Sequence, residues 1–584
     1  MREVSTAPLA DLSAYRNVTD LLMRRVDEAP AHVAFDVREG SGWRPVTTAE
    51  FAAEVRAVAK GLLADGLRPG DAVAIMAPTR YEWAVADLAV WFAGGVVVPV
   101  YDSSAPSQVA AIVADAGVRV AFFGDERSRA ALTAAGVPVV LALTRGLARL
   151  AARGVIVDDA ALERARTDAG PSSPATIVYT SGTSGTPKGV VLSHENFLGQ
   201  VLNIAAAYSD IVRADGSTVI FLPLAHVLAR GLQLICLASG MRIAHLSEPS
   251  EVVASLAELR PTFLVVVPRI LEKIAAAAGA KAADKRLGRV WAAAVRTATE
   301  LARREEQIDD GQTPASSWSL QLRRRVFDAL FYRRIRALMG GRIGYVLSGG
   351  ATLPSRLSLL FRGMGIPVIE GYGLTETTAP LTGNLPGRIR SGTVGVPLPG
   401  STVRIADDGE VLAKGVGVFA GYRDPDDDRD AFVDGFFRTG DLGRLDERGR
   451  LVLEGRVKDV VTTSGGKTVA PARWEAAIEE HPVISSAVTV GEGRPYLTAL
   501  IVLDQDAVTA ARGGAVALDD PDLRAEVQRA VDAANALVSR SEQVRRFALV
   551  FADAEDREIV TPTLKIRRRQ LLDRESRTID ALYL

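Results

Sequence analysis

Between Tyr179 and Gly189 the chain reads Tyr-Thr-Ser-Gly-Thr-Ser-Gly-Thr-Pro-Lys-Gly, with three glycines, five Ser/Thr hydroxyls and one lysine in eleven positions. Ala175-Thr-Ile-Val178, directly before it, reads as a buried strand. A loop of this composition can wrap backbone N–H groups and hydroxyls around a polyphosphate, with Lys188 as a mobile positive charge. It is not a Walker loop, because Gly185-Thr-Pro-Lys188 lacks the Gly-Lys-Ser/Thr run that puts a metal-binding hydroxyl after the lysine. Taken alone, the composition also fits a solvent-exposed Gly/Ser turn. Other side chains able to do chemistry stand in separate segments. His226 follows a Pro-Leu-Ala strand end, Glu376 closes Gly371-Tyr-Gly-Leu-Thr-Glu376, Asp441 sits in a Thr-Gly-Asp turn, and Lys565 precedes a basic stretch.

These residues need a scaffold, and the pattern of the chain predicts one. From about residue 45 short β-rich runs alternate with amphipathic helical stretches. Phe51 to Ala64, Tyr81 to Ala93 and Ser107 to Ala116 read as helices; Asp71 to Met76, Val96 to Val100 and Val118 to Phe123 read as strands. That rhythm predicts parallel sheets covered by helices. The strands Val219 to Leu222, Thr262 to Val267 and Ile343 to Leu347 continue it. Between the last two, Pro268 to Arg342 predicts two or three helices joined by a polar loop near Asp309 to Pro314. Its end, Arg323 to Arg336, interleaves basic and bulky apolar residues at helical spacing. It fits a helix packed on the body of the protein or a membrane-surface contact that delivers lipid. After residue 385 short strands with Gly- and Asp-rich turns replace the alternation, and a boundary is expected at Arg456 to Asp459. Beyond it, helices Pro471 to Glu480 and Leu523 to Leu537 and strands Ile484 to Val490, Tyr496 to Leu503 and Phe547 to Phe551 predict a small α+β unit.

Size and composition narrow the function. A chain of 584 residues is too long for one ordinary core. With 48% hydrophobic residues, 24% charged residues and a net charge of −1, it reads as a soluble globular protein without the basic excess of a nucleic-acid partner. Cys236 is the only cysteine, so no internal disulfide or thiolate metal cluster can form. The N-terminal residues lack the apolar run of a secretory signal, and a cytoplasmic location is expected.

Seven segments, in order, resemble the pattern of adenylate-forming enzymes, and more closely that of long-chain fatty acid–CoA ligases. They are the loop at Tyr179 to Gly189, Phe221 to His226, Ser348-Gly-Gly-Ala-Thr352, Glu370 to Thr377, Arg438-Thr-Gly-Asp-Leu442, Gly455-Arg-Val-Lys-Asp459 through Ser464-Gly-Gly466, and Thr561-Pro-Thr-Leu-Lys-Ile-Arg567. The resemblance spans roughly residues 20 to 575. It implies an α/β fold: a large N-terminal domain, 1–457, of helix-covered sheets with a β-rich subdomain, and a small mobile α+β C-terminal domain, 458–584.

The activity so implied is ATP-dependent activation of a medium- or long-chain fatty acid to acyl-AMP, followed by transfer to coenzyme A. Positioning and electrostatic stabilisation should supply most of the catalysis. The resemblance makes Lys565 the lysine that bridges the carboxylate and the α-phosphate, His226 a border of the carboxylate pocket, and Glu376 with Thr180 the Mg²⁺ ligands. It gives nucleotide or coenzyme A contacts to Thr180, Ser181, Gly182, Thr183, Ser184, Gly185, Thr186 and Lys188. Further contacts fall to Gly349, Gly350, Ala351, Tyr372 (the adenine face), Gly373, Thr375, Asp441 (the ribose), Arg456, Ser464, Gly465 and Gly466. Lys458 matches the hinge. Arg230 stands where some long-chain ligases carry an aromatic gate, and Leu564 stands where many relatives have glycine. Two other readings are an acyl-AMP ligase loading a carrier protein and a non-catalytic acyl or nucleotide sensor. The sensor would be expected to lose Lys565, Glu376 or Asp441, and all are present. The expected partners are a fatty acid, ATP and coenzyme A, with the inner membrane face as a place of peripheral contact.

Overall fold

A computed structural model describes the chain except for residues 182–186, 249–250, 313–316, 465–466, 513, 515, 541, 553–555, 557–558 and 561–565, and the side chains of 181, 468, 506 and 510. Two mainly parallel sheets form its centre. In one, Val139–Ala142, Val120–Phe123, Ala72–Met76, Val96–Val100 and Pro174–Ser181 lie parallel in that order, and Pro187–Ser193 folds back antiparallel at the edge. In the other, Val33–Glu39, Arg242–His245, Ser217–Ile220, Phe263–Val266, Tyr345–Ser348 and Val368–Tyr372 run parallel. Short antiparallel strands Thr382–Gly383 and Val396–Pro397 extend it beyond Tyr372. The buried strands are rich in Val, Ile and Ala and read as unbroken apolar runs, as sheets covered on both faces require.

Helix Tyr81–Phe92 is buried on every side. Such a helix belongs between layers rather than on a surface. Its one fully buried acid, Asp87, must be paired to be buried at all. Arg230 meets it from helix Val227–Ser239, with Nε 2.9 Å from one carboxylate oxygen and the other guanidinium nitrogen on the second. Arg230 also donates to Thr176 Oγ1 at 2.7 Å and lies over the Trp91 ring at 4.6 Å. Burial pushes the Asp87 carboxyl up, and the guanidinium pulls it back down. Arg230 therefore sits inside the packed core. It stands where, by the resemblance, some long-chain ligases carry an aromatic gate, and the buried acid gives the arginine a partner at that position.

The segment expected to hold two or three helices holds four among the described residues: Pro268–Asp284, Gly288–Asp309, Trp318–Phe327 and Arg333–Leu338, the last two joined by a π-helical turn, Asp328–Tyr332. The first break falls at Lys285 to Leu287, where Arg286 takes a left-handed conformation (φ 58°) without a Gly or Pro to announce it. An antiparallel sheet of Glu3–Thr6, Ser401–Ile405, Glu410–Gly415, Phe436–Leu445, Phe432–Val433 and Leu451–Arg456 follows. Near the C-terminus, Ile484–Val490, Leu497–Leu503 and Val544–Phe551 form a three-stranded sheet. Helices Ala472–Glu479 and Pro521–Asn535 pack on it around Trp474, Ile478 and Val527. Among the described residues no helix is long and apolar enough to cross a membrane.

Candidate active site

The site gathers where the two parallel sheets meet the antiparallel one, at the carboxyl ends of strands. Open α/β sheets place ligands there. Thr180 and Lys188 face each other across the hairpin Pro174–Ser181/Pro187–Ser193, at the base of the predicted phosphate loop. The loop residues Gly182, Thr183, Ser184, Gly185 and Thr186, and the side chain of Ser181, lie outside the described residues. Lys188 Nζ is 2.9 Å from Asp427 Oδ1 and 5.2 Å from the centre of the Tyr422 ring. Tyr422 reaches the hairpin through a bridge to Val190, and Arg423 N–H donates to the Gly189 carbonyl at 2.7 Å.

Strand Val368–Tyr372 ends beside this hairpin, and the 3₁₀ turn Thr375–Thr377 carries Glu376. The bend between them passes so close to Ala379 to Leu381 that a Cβ on Gly373 would lie 2.8 Å from backbone atoms of Pro380 and Leu381. Only glycine fits that approach. The Tyr422 hydroxyl donates to Glu376 Oε1 at 3.0 Å. Burial raises the Glu376 carboxyl above its ordinary range, while Tyr422 and, at longer range, Arg456 oppose the shift.

Tyr372, at the end of the same strand, donates its hydroxyl to Asp441 Oδ2 at 2.6 Å. Asp441 Oδ1 is 2.8 Å from Arg456 Nε, and the two residues oppose each other in antiparallel register. Opposite charges across strands reinforce that register. The Asp441 N–H is taken by Thr439 Oγ1 at 3.1 Å, so the turn fixes the carboxylate from both ends. Glu376 with Tyr422, and Tyr372 with Asp441 and Arg456, thus form two hydrogen-bonded groups that make up one polar wall within electrostatic reach of each other.

The remaining expected residues border this wall or stand apart from it. His226 is the N-cap of helix Val227–Ser239, its Nδ1 accepting the Leu228 N–H at 3.1 Å. Gly349, Gly350 and Ala351 form the turn after strand Tyr345–Ser348, next in the sheet to Val368–Tyr372. Thr375 opens the turn that holds Glu376. Lys458 lies in the 3₁₀ turn Val457–Asp459; desolvation by the surrounding protein lowers its ammonium pKa and nearby Arg456 adds to the shift. Ser464 is exposed and its N–H donates to the Arg494 carbonyl at 2.9 Å. Gly465, Gly466 and Lys565 lie outside the described residues.

Sequence reasoning missed Tyr422 and Asp427. Gly421-Tyr-Arg-Asp424 and the acidic run after it read only as a turn, and a turn signal does not say which strand end it will cross.

The residues present fit Mg²⁺. Among the described residues no three His, Cys, Asp or Glu side chains cluster into an all-protein cage. A lone carboxylate such as Glu376 suits a cation that is bound through one or two carboxylates, with phosphate and water oxygens completing its shell.

A family model for the AMP-binding enzyme matches residues 22–423, and one for the AMP-binding enzyme C-terminal domain matches 458–584. The chain belongs to the AMP-binding enzyme family. It is 37% identical, over the full length of both chains, to the long-chain-fatty-acid–CoA ligase FadD15 of Mycobacterium tuberculosis and that of Mycobacterium bovis. Among solved structures it resembles the anthranilate CoA ligase AuaEII in complex with anthranoyl-AMP, at a TM-score of 0.74, 18% identity and coverage of 98% of this chain and 99% of that one. ATP-bound MatB from Rhodopseudomonas palustris gives a TM-score of 0.70 at 24% identity, covering 96% and 99%. The likeness to these structures concerns the fold. The α/β architecture expected from the alternation of strands and helices is the one observed.

Proposed function

We propose that this AMP-binding enzyme is an AMP-forming acyl-CoA ligase for medium- to long-chain fatty acids, working in the cytoplasm. The observation that carries the reading is the polar wall of Glu376, Tyr422, Tyr372, Asp441 and Arg456 beside Lys188, on a chain 37% identical throughout to long-chain ligases. The fatty acid carboxylate attacks the α-phosphorus of ATP, giving acyl-AMP and pyrophosphate. The thiolate of coenzyme A then attacks the acyl carbon and releases AMP.

Each role follows from the chemistry of its group. Asp441 accepts the ribose hydroxyls with the lone pairs that Tyr372 and Arg456 leave free. Tyr372 and Gly373 present a flat face and a close backbone to adenine, with Gly349, Gly350 and Ala351 on the neighbouring strand end. Thr180 and the loop from Ser181 to Thr186 receive the phosphates, and Lys188 exchanges Asp427 for a phosphate oxygen. Mg²⁺, held by Glu376 and Thr180, supplies charge neutralisation on the phosphate oxygens. His226 borders the carboxylate, and Lys565 bridges it to the α-phosphate. The chain divides at 457/458, with Lys458 as hinge; the C-terminal part swings to bring Ser464, Gly465 and Gly466 to the pantetheine arm.

A mass-spectrometric product assay with Mg·ATP and acids from acetate to oleate, each with and without coenzyme A, tests the reading. Acyl-CoA should form only with coenzyme A and most strongly for long chains; acyl-AMP accumulating despite coenzyme A would overturn it. Lys565→Ala should abolish acyl-AMP formation yet still convert supplied acyl-AMP and coenzyme A to thioester. Equal loss of both half-reactions would remove that role.

A further inference from the structure

Helix Trp318–Phe327 turns Leu320 into the protein, leaving it 1% exposed. Trp318, Leu322 and Val326 leave the same helix on the other side, exposed by 79%, 53% and 49%. At about 100° per residue these three positions span an arc of about 80°, centred nearly opposite Leu320. Leu330, 40% exposed in the π-helical turn that follows, prolongs the line. Single exposed apolar residues are ordinary on a protein surface; a row of four that includes a tryptophan is not.

The charge around this row is predominantly positive. From Trp318 to Leu338 the sequence holds six arginines against one aspartate, in a chain whose net charge is −1. Arg336 pairs with Asp328 at 2.7 Å, and Arg323 lies 3.7 Å from Glu300. Arg324, Arg325, Arg333 and Arg334 are exposed and make no ion pair among the described residues. By the helical angles, Arg325 stands at the edge of the row, beside Trp318, whereas Arg324 lies on the far side, nearer Leu320.

We propose that this face is a docking surface for an anionic lipid bilayer, with the apolar row entering the headgroup region and the unpaired arginines meeting lipid phosphates. An apolar centre within a basic border is what an interfacial helix needs, and tryptophan favours the headgroup level. A nucleic-acid phosphate backbone would match the arginines but leave Trp318, Leu322 and Val326 without a counterpart. The assignment deepens the proposed function by giving a membrane-dissolved acid a route to the enzyme. It rests on residues outside the active-site wall, so its failure would leave the ligase reading intact.

Co-sedimentation of the full chain with phosphatidylcholine vesicles, and with vesicles that also contain phosphatidylglycerol, tests it. Binding should require the anionic lipid and weaken with salt. Arg325→Gln, Arg333→Gln and Arg334→Gln should each lower partitioning by roughly fivefold. Trp318→Ser with Leu322→Ser should lower it by at least as much, at unchanged thermal midpoint and unchanged activation of a short, water-soluble acid. Equal binding to neutral vesicles, or binding indifferent to both sets of substitutions, would overturn the proposal. So would vesicle-independent self-association that the serine variant abolishes, which would assign the row to a second copy of the chain. Capture by heparin with no capture by vesicles would assign it to a polyanion.

Discussion

At the scale of single residues, Tyr422 ties the two ends of the proposed phosphate site together. Its hydroxyl holds Glu376 and its ring faces Lys188, which Asp427 anchors. Tyr422→Phe keeps the ring and removes the donor. A hydrogen bond to a charged group contributes about 1.5–3 kcal/mol, so calorimetric titration should show Mg·ATP binding weakened roughly tenfold or more; unchanged affinity would show that Glu376 does not depend on this hydroxyl. Asp441 makes a sharper test, because removing it also orphans Tyr372. Asp441→Asn leaves an acceptor for the Tyr372 hydroxyl but discards the charge facing Arg456. Nucleotide affinity should fall while the thermal midpoint moves little, and a fall in midpoint alone would make Asp441 a structural residue. Glu376, Asp441 and Lys188 were legible in the sequence because each sits in a local pattern of glycines and hydroxyls. Tyr422 and Asp427 were not, since a strand bridge from Val190 brings them in and no spacing rule announces that contact.

Elements explain why the wall is rigid and where its supports would fail. Helix Gly288–Asp309 ends in Glu305, Glu306, Asp309 and Asp310, acids at the end where a helix dipole favours cations. Arg362 answers Glu305 at 3.0 Å and Asp309 at 2.7 Å, and Arg450 answers Asp310 at 2.8 Å, clamping the helical segment to helix Ser355–Gly363 and to the start of strand Leu451–Arg456. Gly363 lets this helix approach Ser355–Gly363 until a Cβ there would overlap the Ala298 backbone. Gly363→Ala should cost about 1–3 kcal/mol through overpacking, seen as an earlier transition in a thermal scan; an unchanged transition would mean the two helices part without penalty. In the C-terminal part, burial pushes the Glu479 carboxyl up to about 7, although Ala487 N–H and Ser486 Oγ donate to it. The folded state therefore keeps a proton that the unfolded chain releases near 4.5, and stability is lost as pH rises from 4.5 through 7. Glu479→Gln should raise the thermal midpoint above pH 7, with the gain shrinking as pH falls toward 4.5. A pH-independent difference would refute the shift. Alternation of apolar runs made most parallel strands readable to within a few residues, but not Val33–Glu39, Val139–Ala142, Arg242–His245 or Val368–Tyr372. The break at Arg286 escaped because no Gly or Pro falls within residues 285–287, and the short helix Gln505–Arg512 because only eight residues carry its period.

For the whole molecule, the deciding contact is one that no local pattern could reveal. Arg269, at the start of the helical segment, pairs with Glu272 at 3.0 Å and with Asp504, 235 residues away at the end of strand Leu497–Leu503. Glu272 also pushes up the Glu479 carboxyl, so the same face carries both an ion pair and a repulsion. The Arg269–Asp504 pair, being partly exposed, contributes only about 0–1 kcal/mol, little enough to be broken and remade. If the part beyond 457 alternates between two positions, this pair belongs to one of them and must break in the other. The chain lends itself to a direct test, since its only cysteine, Cys236, is fully buried and out of reach of a polar reagent. Arg269→Cys combined with Asp504→Cys, bridged by a short bis-maleimide, should hold the arrangement described here. One half-reaction, acyl-AMP formation or thioester formation from supplied acyl-AMP, should then persist while the other stops. Retention of both after complete bridging would refute alternation about Lys458; loss of both, with the unbridged double variant active in each, would show that the arrangement with Arg269 on Asp504 serves neither step.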